Sequence, residues 1–477
     1  MRQLVKNLLW VSFGAFAGVV VTWQITATAQ QTATLPIDEL RLFSTVFGSV
    51  KRDYVEPIDD KKLIIDAVKG MVSNLDPHSA FLDAKDFSDM REQTQGKFAG
   101  LGIEISSEDG LVKVMNPIED TPAARAGILA GDLITRIDDK PVRGLSLDQA
   151  VRKMRGAPGT KITVMIYRKS EERTFPVTII RAEIKVQSVK SKTLDNDLLW
   201  VRITGFQERT VPDLAKKLTE AYTANPNLKG VILDLRNNGG GILQGAVGVS
   251  AIFLQPGSEV VSTKGQAASS KLVYKVDPEN YRLSEPTDPL ENLPAVFKKI
   301  PLVVLTNAYS ASASEIVSGA LQDYKRATIM GKTTFGKGSV QTVREISADT
   351  ALKITTAYYY TPSGKSIQAY GIKPDIAVDQ NAEGDPNDVL ITREVDNENH
   401  LKNKQSSEDS LISDREKRRM EELQKLEEKN AKMTPEEKLK EKSKKPPEFG
   451  SPEDFMLTQA QNFLLGKPVV RSKTILE

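Results

Sequence analysis

The chain has 477 residues, with 65 lysines and arginines against 63 aspartates and glutamates, which leaves a formal net charge of +2. This balance gives no global basic field, so we expect no nucleic-acid partner. There is no cysteine, and His78 and His400 are the only histidines, which excludes disulfides, thiolate catalysis and cysteine-ligated metals and leaves few bases that could activate a nucleophile.

The first 29 residues have the layout of an export signal. Arg2 and Lys6 precede an apolar run, 8–23, and the small residues 27–29 follow it. This order is typical of a signal peptide that is removed after Ala29. If the run is not removed it would hold the protein to a membrane, and a buried helix of the first domain is the weaker alternative. We therefore predict an exported protein of the periplasm or cell envelope.

A helical region and a compact β module are predicted next. Apolar residues recur at helical spacing in 36–55 and 61–75, which indicates a helical N-terminal region over 36–95. From 98 to 184, short strand patterns alternate with turns, and one helix begins at Ser146, a residue suited to an N-cap. We assign residues 96–185 to this β module.

An α/β core and a charged extension are predicted after the β module. Strands alternate with helices from residue 198 onward, so we place an α/β core at 186–380. The segment 381–450 is polar and rich in Glu, Lys and Arg, which predicts a solvated helix or disorder, with a partner-binding arm as the alternative. A final helix within 451–477 is predicted to begin at Ser451 and to pack through its apolar residues.

Two short segments carry the candidate chemistry. Asn307 to Glu315 contains three serines where a buried strand passes into a helix, and the N–H groups at a helix N-terminus favour a developing oxyanion. The three serines compete for the role of nucleophile, and all could instead be caps or packing residues. Phe335 to Gln341 contains Lys337 between two glycines, and a desolvated lysine can act as a base toward serine.

Two further glycine-rich features allow other interpretations. The glycine and lysine spacing from Gly331 to Lys337 is that of a phosphate-binding loop, but Gly338 stands where Ser or Thr must reach magnesium, which argues against a nucleotide site. Three consecutive glycines, 239–241, follow a predicted buried strand. They could supply a second oxyanion donor or merely form a turn.

The two segments resemble those of the carboxyl-terminal processing proteases, also called tail-specific proteases. The family pattern Ser-Ala-Ser-Ala-Ser-Glu occurs at 310–315, and Phe-Gly-Lys-Gly with a glutamine four residues after the lysine occurs at 335–341. The resemblance implies Ser312 as nucleophile, Lys337 as general base and Gln341 as the residue that orients the lysine. It also implies a crotonase-like α/β protease core that uses no metal or cofactor.

The glycine triplet adds to this resemblance. Residues 234–241 are similar to the family's Asp-Leu-Arg-x-Asn-Pro-Gly-Gly, with Gly239 in place of the proline. The resemblance implies that Gly240 and Ala313 donate the N–H groups of an oxyanion hole. The exchange of proline for glycine adds backbone freedom.

The β module resembles a PDZ domain placed before the protease core. Its Gly-Leu-Gly-Ile loop consists of Gly100, Leu101, Gly102 and Ile103, and residues 121–128 match a second signature. PDZ domains bind a peptide C-terminus as an added strand. The resemblance therefore implies that the module captures apolar C-terminal tails of substrate proteins.

Together these features predict an exported serine endopeptidase of α+β and α/β multidomain architecture that cleaves the proteins it captures, for processing or degradation in the cell envelope. An inactive tail-binding scaffold is the alternative. A serine hydrolase that uses His78 is a third hypothesis, although a histidine beside a proline turn is more typical of a structural residue. The resemblance also implies a homo-oligomer and leaves an activating adaptor protein open, with Phe455 and Phe463 as candidates for an assembly surface.

Overall fold

The computed structural model describes residues 35–118, 120–283, 286–384, 391–434 and 447–473. The predicted export signal at 1–29 lies outside the described residues, as do 12 residues near the end of the charged extension, 435–446. Within the described ranges, no helix has the length and apolarity needed to cross a bilayer. The chain divides into two units, 1–71 and 72–477.

The first unit contains the helices predicted from apolar periodicity, α1 (Ile37–Asp53) and most of α2 (Asp60–Ser73). Acidic residues lie in the first turn of α1 and basic residues in its last turn, which complements the helix dipole. Lys51 Nζ lies 2.7 Å from Asp60, so the end of α1 is tied to the start of α2.

The second unit begins with β1 (Ala80–Leu82) and α3 (Ala84–Gln95). The predicted β module follows, and its elements are β2 (Lys97–Gly100), β3 (Ile103–Glu108), β4 (Leu111–Pro117), α4 (Pro122–Arg125), β5 (Leu133–Ile137), β6 (Lys140–Pro141), α5 (Leu147–Met154), β7 (Lys161–Arg168), β8 (Arg173–Ile180) and β9 (Ala182–Lys185).

The module is an antiparallel sheet in the order β3-β4-β5-β7-β8, with β6 beside β5. Its interior packs α5 against the sheet through residues such as Ala150, Met154 and Val164. Ser146 is the N-cap of α5 as predicted, and Gln149 completes a capping box with it. The strands that enter and leave the module, β2 and β9, pair with each other and form a separate two-stranded ribbon.

The core alternates strands and helices, as the sequence predicted. Its elements are β10 (Val189–Leu194), β11 (Leu198–Ile203), α6 (Thr210–Ala224), β12 (Gly230–Asp234), α7 (Leu243–Phe253), β13 (Glu259–Lys264), β14 (Val273–Lys275), α8 (Pro278–Tyr281), β15 (Leu302–Thr306), α9 (Ala313–Asp323), β16 (Thr328–Gly331), β17 (Ser339–Glu345), β18 (Ala351–Tyr360) and β19 (Ile376–Ala377).

The main sheet has the order β10-β11-β12-β15-β16-β19, and all its pairs are parallel except β10 with β11. Both faces are covered, which explains the continuous apolar runs of β12 and β15. Leu233 and Val304 face the cluster formed with α6, α7 and α9, whereas Ile232 and Val303 face the opposite cluster. A second, antiparallel sheet contains β1, β13, β14, β17 and β18.

The described residues of the C-terminal part of the chain form the helices α10 (Asp409–Lys432) and α11 (Phe455–Leu464). The predicted start of the last helix at Ser451 is wrong, because Asp454 accepts the N–H of Leu457 and is the N-cap. Met456 and Leu457 pack against the main sheet, as predicted for an apolar terminal helix.

The residues between the core and α10 are more buried than their polar composition predicts. Arg393 is 4% exposed, Glu394 is 0% exposed and Val395 is 5% exposed. This part of the extension therefore belongs to the folded core, while α10 is the exposed charged helix that the composition indicated.

Candidate active site

The turn between β15 and α9 presents one of the three candidate serines to a cavity. The hydroxyl of Ser310 donates to Leu235 O at 2.8 Å and that of Ser314 donates to Asn238 O at 2.8 Å, and both residues are fully buried. Their roles are structural, because each satisfies a backbone carbonyl. Ser312 lines the cavity instead. The structure thus distinguishes the three serines that the residue pattern alone left in competition.

Ser312 has an unusual backbone conformation, with φ 55° and ψ −111°. Such a conformation costs about 1–3 kcal/mol and persists only where neighbouring contacts enforce it. The N–H group of Ser312 donates to Glu315 Oε2 at 2.7 Å, which holds the turn from the first turn of α9.

Lys337 lies in the loop between β16 and β17 and lines the same cavity as Ser312. Its backbone is held on both sides: its N–H donates to Glu315 Oε2 at 2.9 Å, and its carbonyl accepts the hydroxyl of Tyr359. Burial, and to a smaller extent the positive charge of Lys353, lowers the pKa of Lys337 to about 8, against the opposing effect of nearby carboxylates. About one tenth of this lysine is therefore neutral at pH 7.

Glu315 joins the serine turn to the lysine loop. Its carboxylate accepts the N–H of Ser312, the hydroxyl of Thr334 at 2.6 Å and the N–H groups of Gly336 at 2.6 Å and Lys337 at 2.9 Å. Burial raises its pKa to about 7, against the effect of these donors. Glu315 belongs to the serine motif, but the sequence predicted no role for it. Its position three residues after a helix-starting serine was the available signal.

Gly240 brings its backbone against the serine turn. Its φ is +100°, and a Cβ atom there would lie 2.8 Å from Ser312 Cβ and 3.0 Å from Ala313 N. Only glycine fits this close approach. Its N–H group donates to Asn238 Oδ1 at 2.9 Å, so the predicted oxyanion donor already has an acceptor. Ala313 is the first residue of α9, where N–H groups lack intrahelical acceptors.

Gln341 lines the cavity, but its amide does not contact the lysine. Gln341 Nε2 donates to Ser339 Oγ at 3.0 Å and to Thr355 Oγ1 at 3.1 Å. Among the hydrogen bonds of the described residues, the predicted one between Gln341 and Lys337 is absent. A register shift between Val340 and Gln341 places the glutamine opposite Thr355, and the sequence pattern could not reveal this irregularity.

The cavity has a volume of about 850 Å³. Besides the candidate residues, its lining combines apolar residues with polar ones and with the second cation Lys353. The apolar contributions come from residues such as Ile242, Leu243, Ile316 and Val340, and the polar ones from residues such as Gln93, Gln207 and Gln244. None of the described residues that line it is acidic. The cavity can therefore accept an apolar side chain beside the serine.

His78 lies away from this cavity, in contact with a buried carboxylate. Its Nε2 atom is 2.8 Å from Glu394 Oε2, and it is not among the cavity's lining residues. This environment fits the structural interpretation of His78. Among the described residues, no cluster of three or more acidic or histidine side chains could hold a metal ion.

The loop at the start of the β module, which is predicted to bind peptide tails, is held by hydrogen bonds to its backbone. Leu101 is buried, and the carbonyl of Gly102 accepts the N–H of Ile118 at 2.9 Å and the hydroxyl of Thr121 at 3.1 Å. Gly102 has φ +81°, and a Cβ there would meet Thr121 at 2.3 Å. Ile103 begins β3, which is an edge strand of its sheet. This edge can accept an added strand.

Comparison with protein-family models gives three matches along the chain. Residues 197–378 match peptidase family S41, residues 99–179 match the PDZ domain, and residues 17–86 match the N-terminal domain of the activating protease CtpB. The S41 match contains both the serine turn and the lysine loop. The predicted architecture of a PDZ module before a protease core is confirmed.

Known relatives cover most of the chain. It is 42% identical over 410 residues to the carboxy-terminal-processing protease of Bartonella bacilliformis, covering 85% of this chain and 90% of that protein. It is 32% identical to the carboxy-terminal processing protease CtpA of Bacillus subtilis, covering 79% of this chain and 78% of that one. The solved photosystem II D1 C-terminal processing protease is 28% identical, with 73% and 95% of the two chains covered and a TM-score of 0.41. The chain belongs to the carboxy-terminal processing protease family and is a serine-type peptidase with a PDZ domain.

Proposed function

We propose that the chain is an exported endopeptidase that captures proteins by their C-terminal tails through the PDZ domain and cleaves them with Ser312 and Lys337. The observation that carries the proposal is the presence of both side chains in one cavity, where the lysine pKa is lowered to about 8. A neutral lysine can accept the serine proton, whereas a charged lysine cannot.

In the proposed reaction, neutral Lys337 takes the hydroxyl proton of Ser312 as the serine oxygen attacks the scissile carbonyl carbon. The N–H of Ala313 and the N–H of Gly240, once it leaves Asn238, stabilise the oxyanion. Protonated Lys337 then gives its proton to the leaving amine. The same lysine takes a proton from a water molecule that attacks the acyl carbon, and it returns this proton to the Ser312 oxygen as the ester bond breaks, which regenerates the free serine.

The hydrogen bonds of Gly240 and Gln341 support a resting state of the site, which a partner or a bound tail would convert to the active state. Gly240 is bonded to Asn238, and Gln341 is bonded to Ser339 and Thr355. Rotation of these groups toward the oxyanion and toward Lys337 would complete the site, since catalytic contacts often tighten only when substrate is bound. The match to the N-terminal domain of an activating protease is consistent with control by an adaptor protein.

The substrate and location follow from the PDZ loop and the N-terminus. The free edge of β3 and the loop from Gly100 to Ile103 support strand-like binding of a C-terminal tail, and the apolar preference is part of the proposal. The apolar run of the first 29 residues supports export to the periplasm or cell envelope, with the run removed or kept as a membrane anchor. We propose a homo-oligomer as well.

The test uses the chain from Gln30 and two reporter proteins that differ in an apolar or a charged tail. Parent protein, Ser312→Ala and Lys337→Ala are compared with Ser318→Ala as the matched control, because Ser318 lies on the same helix and donates to a helix carbonyl. We expect cleavage of the apolar-tailed reporter by the parent and the control only. Between pH 7 and pH 9, kcat/KM should rise about tenfold as the neutral fraction of the lysine rises from about one tenth to about nine tenths.

Parent-like activity of Lys337→Ala would refute the role of the lysine. A parent that binds the reporter without cutting it would be a resting enzyme if a fluorophosphonate probe labels Ser312. Binding without labelling would favour the inactive scaffold.

A further inference from the structure

A segment beyond the family match, residues 391–408, lies directly behind the loop that carries Lys337. The S41 match ends at residue 378. Arg393 Nε donates to Thr334 O at 3.1 Å, and the N–H of Glu394 donates to Phe335 O at 3.1 Å. Two consecutive residues of the segment thus bond to two consecutive residues of the loop. The segment supports this loop and is not a solvated linker.

The side chain of Glu394 reaches the other end of the same loop through one intermediary. Gln368 Nε2 donates to Glu394 Oε1 at 2.9 Å, and Gln368 Oε1 accepts the N–H of Gly338 at 2.9 Å. Gly338 directly follows Lys337. A fully buried carboxylate therefore fixes the glutamine that holds the backbone next to the lysine. His78 occupies the remaining side of the carboxylate at 2.8 Å.

The side chain of Arg393 joins the loop to a neighbouring stretch of the core. Its Nη2 atom donates to Tyr370 O at 2.7 Å while Nε bonds Thr334 O. The N–H of Arg393 donates to Asp396, which also accepts Arg415 from α10 at 2.6 Å. The exposed helix α10 is thus connected, through Asp396 and Arg393, to the loop that carries Lys337.

The charge of Glu394 also acts on Lys337. Burial lowers the pKa of this lysine most, and Lys353 lowers it further, whereas the negative charges of Glu394, Glu315 and Asp76 raise it. Removal of the Glu394 charge should therefore lower the pKa of Lys337. Two kinds of interaction link Glu394 to other described titratable groups. His78 contacts its carboxylate directly, and His400 and Tyr359 interact with its negative charge.

We infer that Arg393 and Glu394 are positioning residues for Lys337, which hold its loop in place and set the electrostatic field in which its amine gains or loses a proton. The inference rests on the proposed role of Lys337 as the base. It assigns a function to a segment whose composition indicated only a charged extension.

The experiment compares three variants of the full mature chain with the parent and with Lys337→Ala. Glu394→Gln keeps the shape of the side chain and removes its charge. Arg393→Lys keeps the charge and loses the paired guanidinium bonds. Glu408→Gln is the matched control, because it breaks a similar partly buried pair with His400 in the same segment, at 2.8 Å, without contacting the loop. The readouts are kcat, KM and the pH dependence of kcat/KM, and the pH dependence of fluorophosphonate labelling of Ser312.

We expect Glu394→Gln to move the midpoint of the alkaline rise in kcat/KM to lower pH by roughly half a unit, with plateau kcat reduced several-fold and KM changed less than about twofold. Arg393→Lys should reduce plateau kcat at an unchanged midpoint. Glu408→Gln should keep the parent midpoint, since a purely structural defect does not change the proton affinity of the base.

If cleavage by the parent depends on Lys337 but the pH profiles of Glu394→Gln and Arg393→Lys are identical to that of the parent, the inference is overturned and the proposed function stands. A shift to higher pH in Glu394→Gln, or an equal shift in Glu408→Gln, would also overturn it. Lys337→Ala with parent activity would overturn the proposed function and the inference together. If Glu394→Gln does not fold, Arg393→Lys decides: full plateau kcat refutes the positioning role and reduced kcat supports it.

Discussion

Replacement of Lys337 by methionine should make the protein more stable and inactive. A lysine has an ordinary pKa of about 10.4, and burial lowers that of Lys337 to about 8. The difference corresponds to about 3 kcal/mol, which is an upper limit on the cost of holding the charged amine in the folded cavity. Methionine has a similar length and no charge, so Lys337→Met should raise the free energy of unfolding at pH 7 by about 1–3 kcal/mol.

The pH dependence of this gain has a definite sign. Because the folded pKa lies below the unfolded one, the folded state binds fewer protons between pH 8 and about 10.4, and the stability of the parent rises with pH in that window. The full cost is present below pH 8 and disappears above about 10.4. The advantage of Lys337→Met should therefore be largest at pH 7 and vanish by about pH 10.5.

Urea unfolding followed by tryptophan fluorescence at pH 7, 8, 9 and 10 measures the difference. Lys353→Met is the control, because it removes the other cavity lysine and should change stability by less than about 1 kcal/mol at each pH. A Lys337→Met protein that is no more stable than the parent at pH 7 would refute the reasoning. So would a gain that stays constant up to pH 10.

Three further substitutions test other parts of the structure. Glu315→Gln replaces a carboxylate that accepts four donors, so it should lower the free energy of unfolding by about 2–4 kcal/mol and abolish cleavage, measured by urea unfolding and the reporter assay. Asp454→Ala leaves a buried arginine without one of its two carboxylate partners and should cost about 3–5 kcal/mol, whereas the exposed neighbour change Glu453→Ala should be nearly neutral in the same titration. Gly102→Ala should weaken tail binding at least tenfold by calorimetry while Ser312 labelling persists, because a Cβ would lie 2.3 Å from a threonine side chain. Gly110→Ala, with a similarly positive φ but with only an ordinary van der Waals neighbour 3.9 Å from a Cβ, should bind tails normally.

The sequence predicted those parts of the fold that depend on local pattern. The apolar runs of β12 and β15 indicated buried strands, and both are covered on two faces. The N-cap at Ser146 depended on a single serine before a helical pattern, and Ser146 acts as predicted, while the capping-box role of Gln149 was seen only in the structure. The residue pattern alone could not distinguish the three serines, because Ser310 and Ser314 donate to carbonyl groups more than 70 residues earlier in the chain. Only the family resemblance indicated Ser312.

The misplaced cap of the last helix and the unexpected burial of Glu394 share one physical cause, which is partners distant in sequence. Asp454 caps the final helix and also pairs with Arg236, 218 residues away, so its role could not be inferred from neighbouring residues. Glu394 is charged and lies in a polar segment, which favours exposure on composition alone. It is buried because His78, 316 residues earlier, and Gln368 supply its polar contacts.

The geometry explains why a lysine that acts as a base, as we propose for Lys337, requires support from outside the immediate site. A histidine is largely neutral near pH 7 at its ordinary pKa. The pKa of Lys337 must be lowered to about 8, at a cost of about 3 kcal/mol, before a useful fraction of the amine is neutral. A charged amine in that position would draw the loop toward water, so the loop must be fixed by bonds that do not depend on the amine. Glu315 supplies them from the serine side, and Arg393 and Glu394 supply them from behind. Both carboxylates also raise the pKa of Lys337, so the residues that hold the base limit how far its pKa can fall. The pKa of about 8 is the net result of burial and Lys353, which lower it, and of these carboxylates, which raise it.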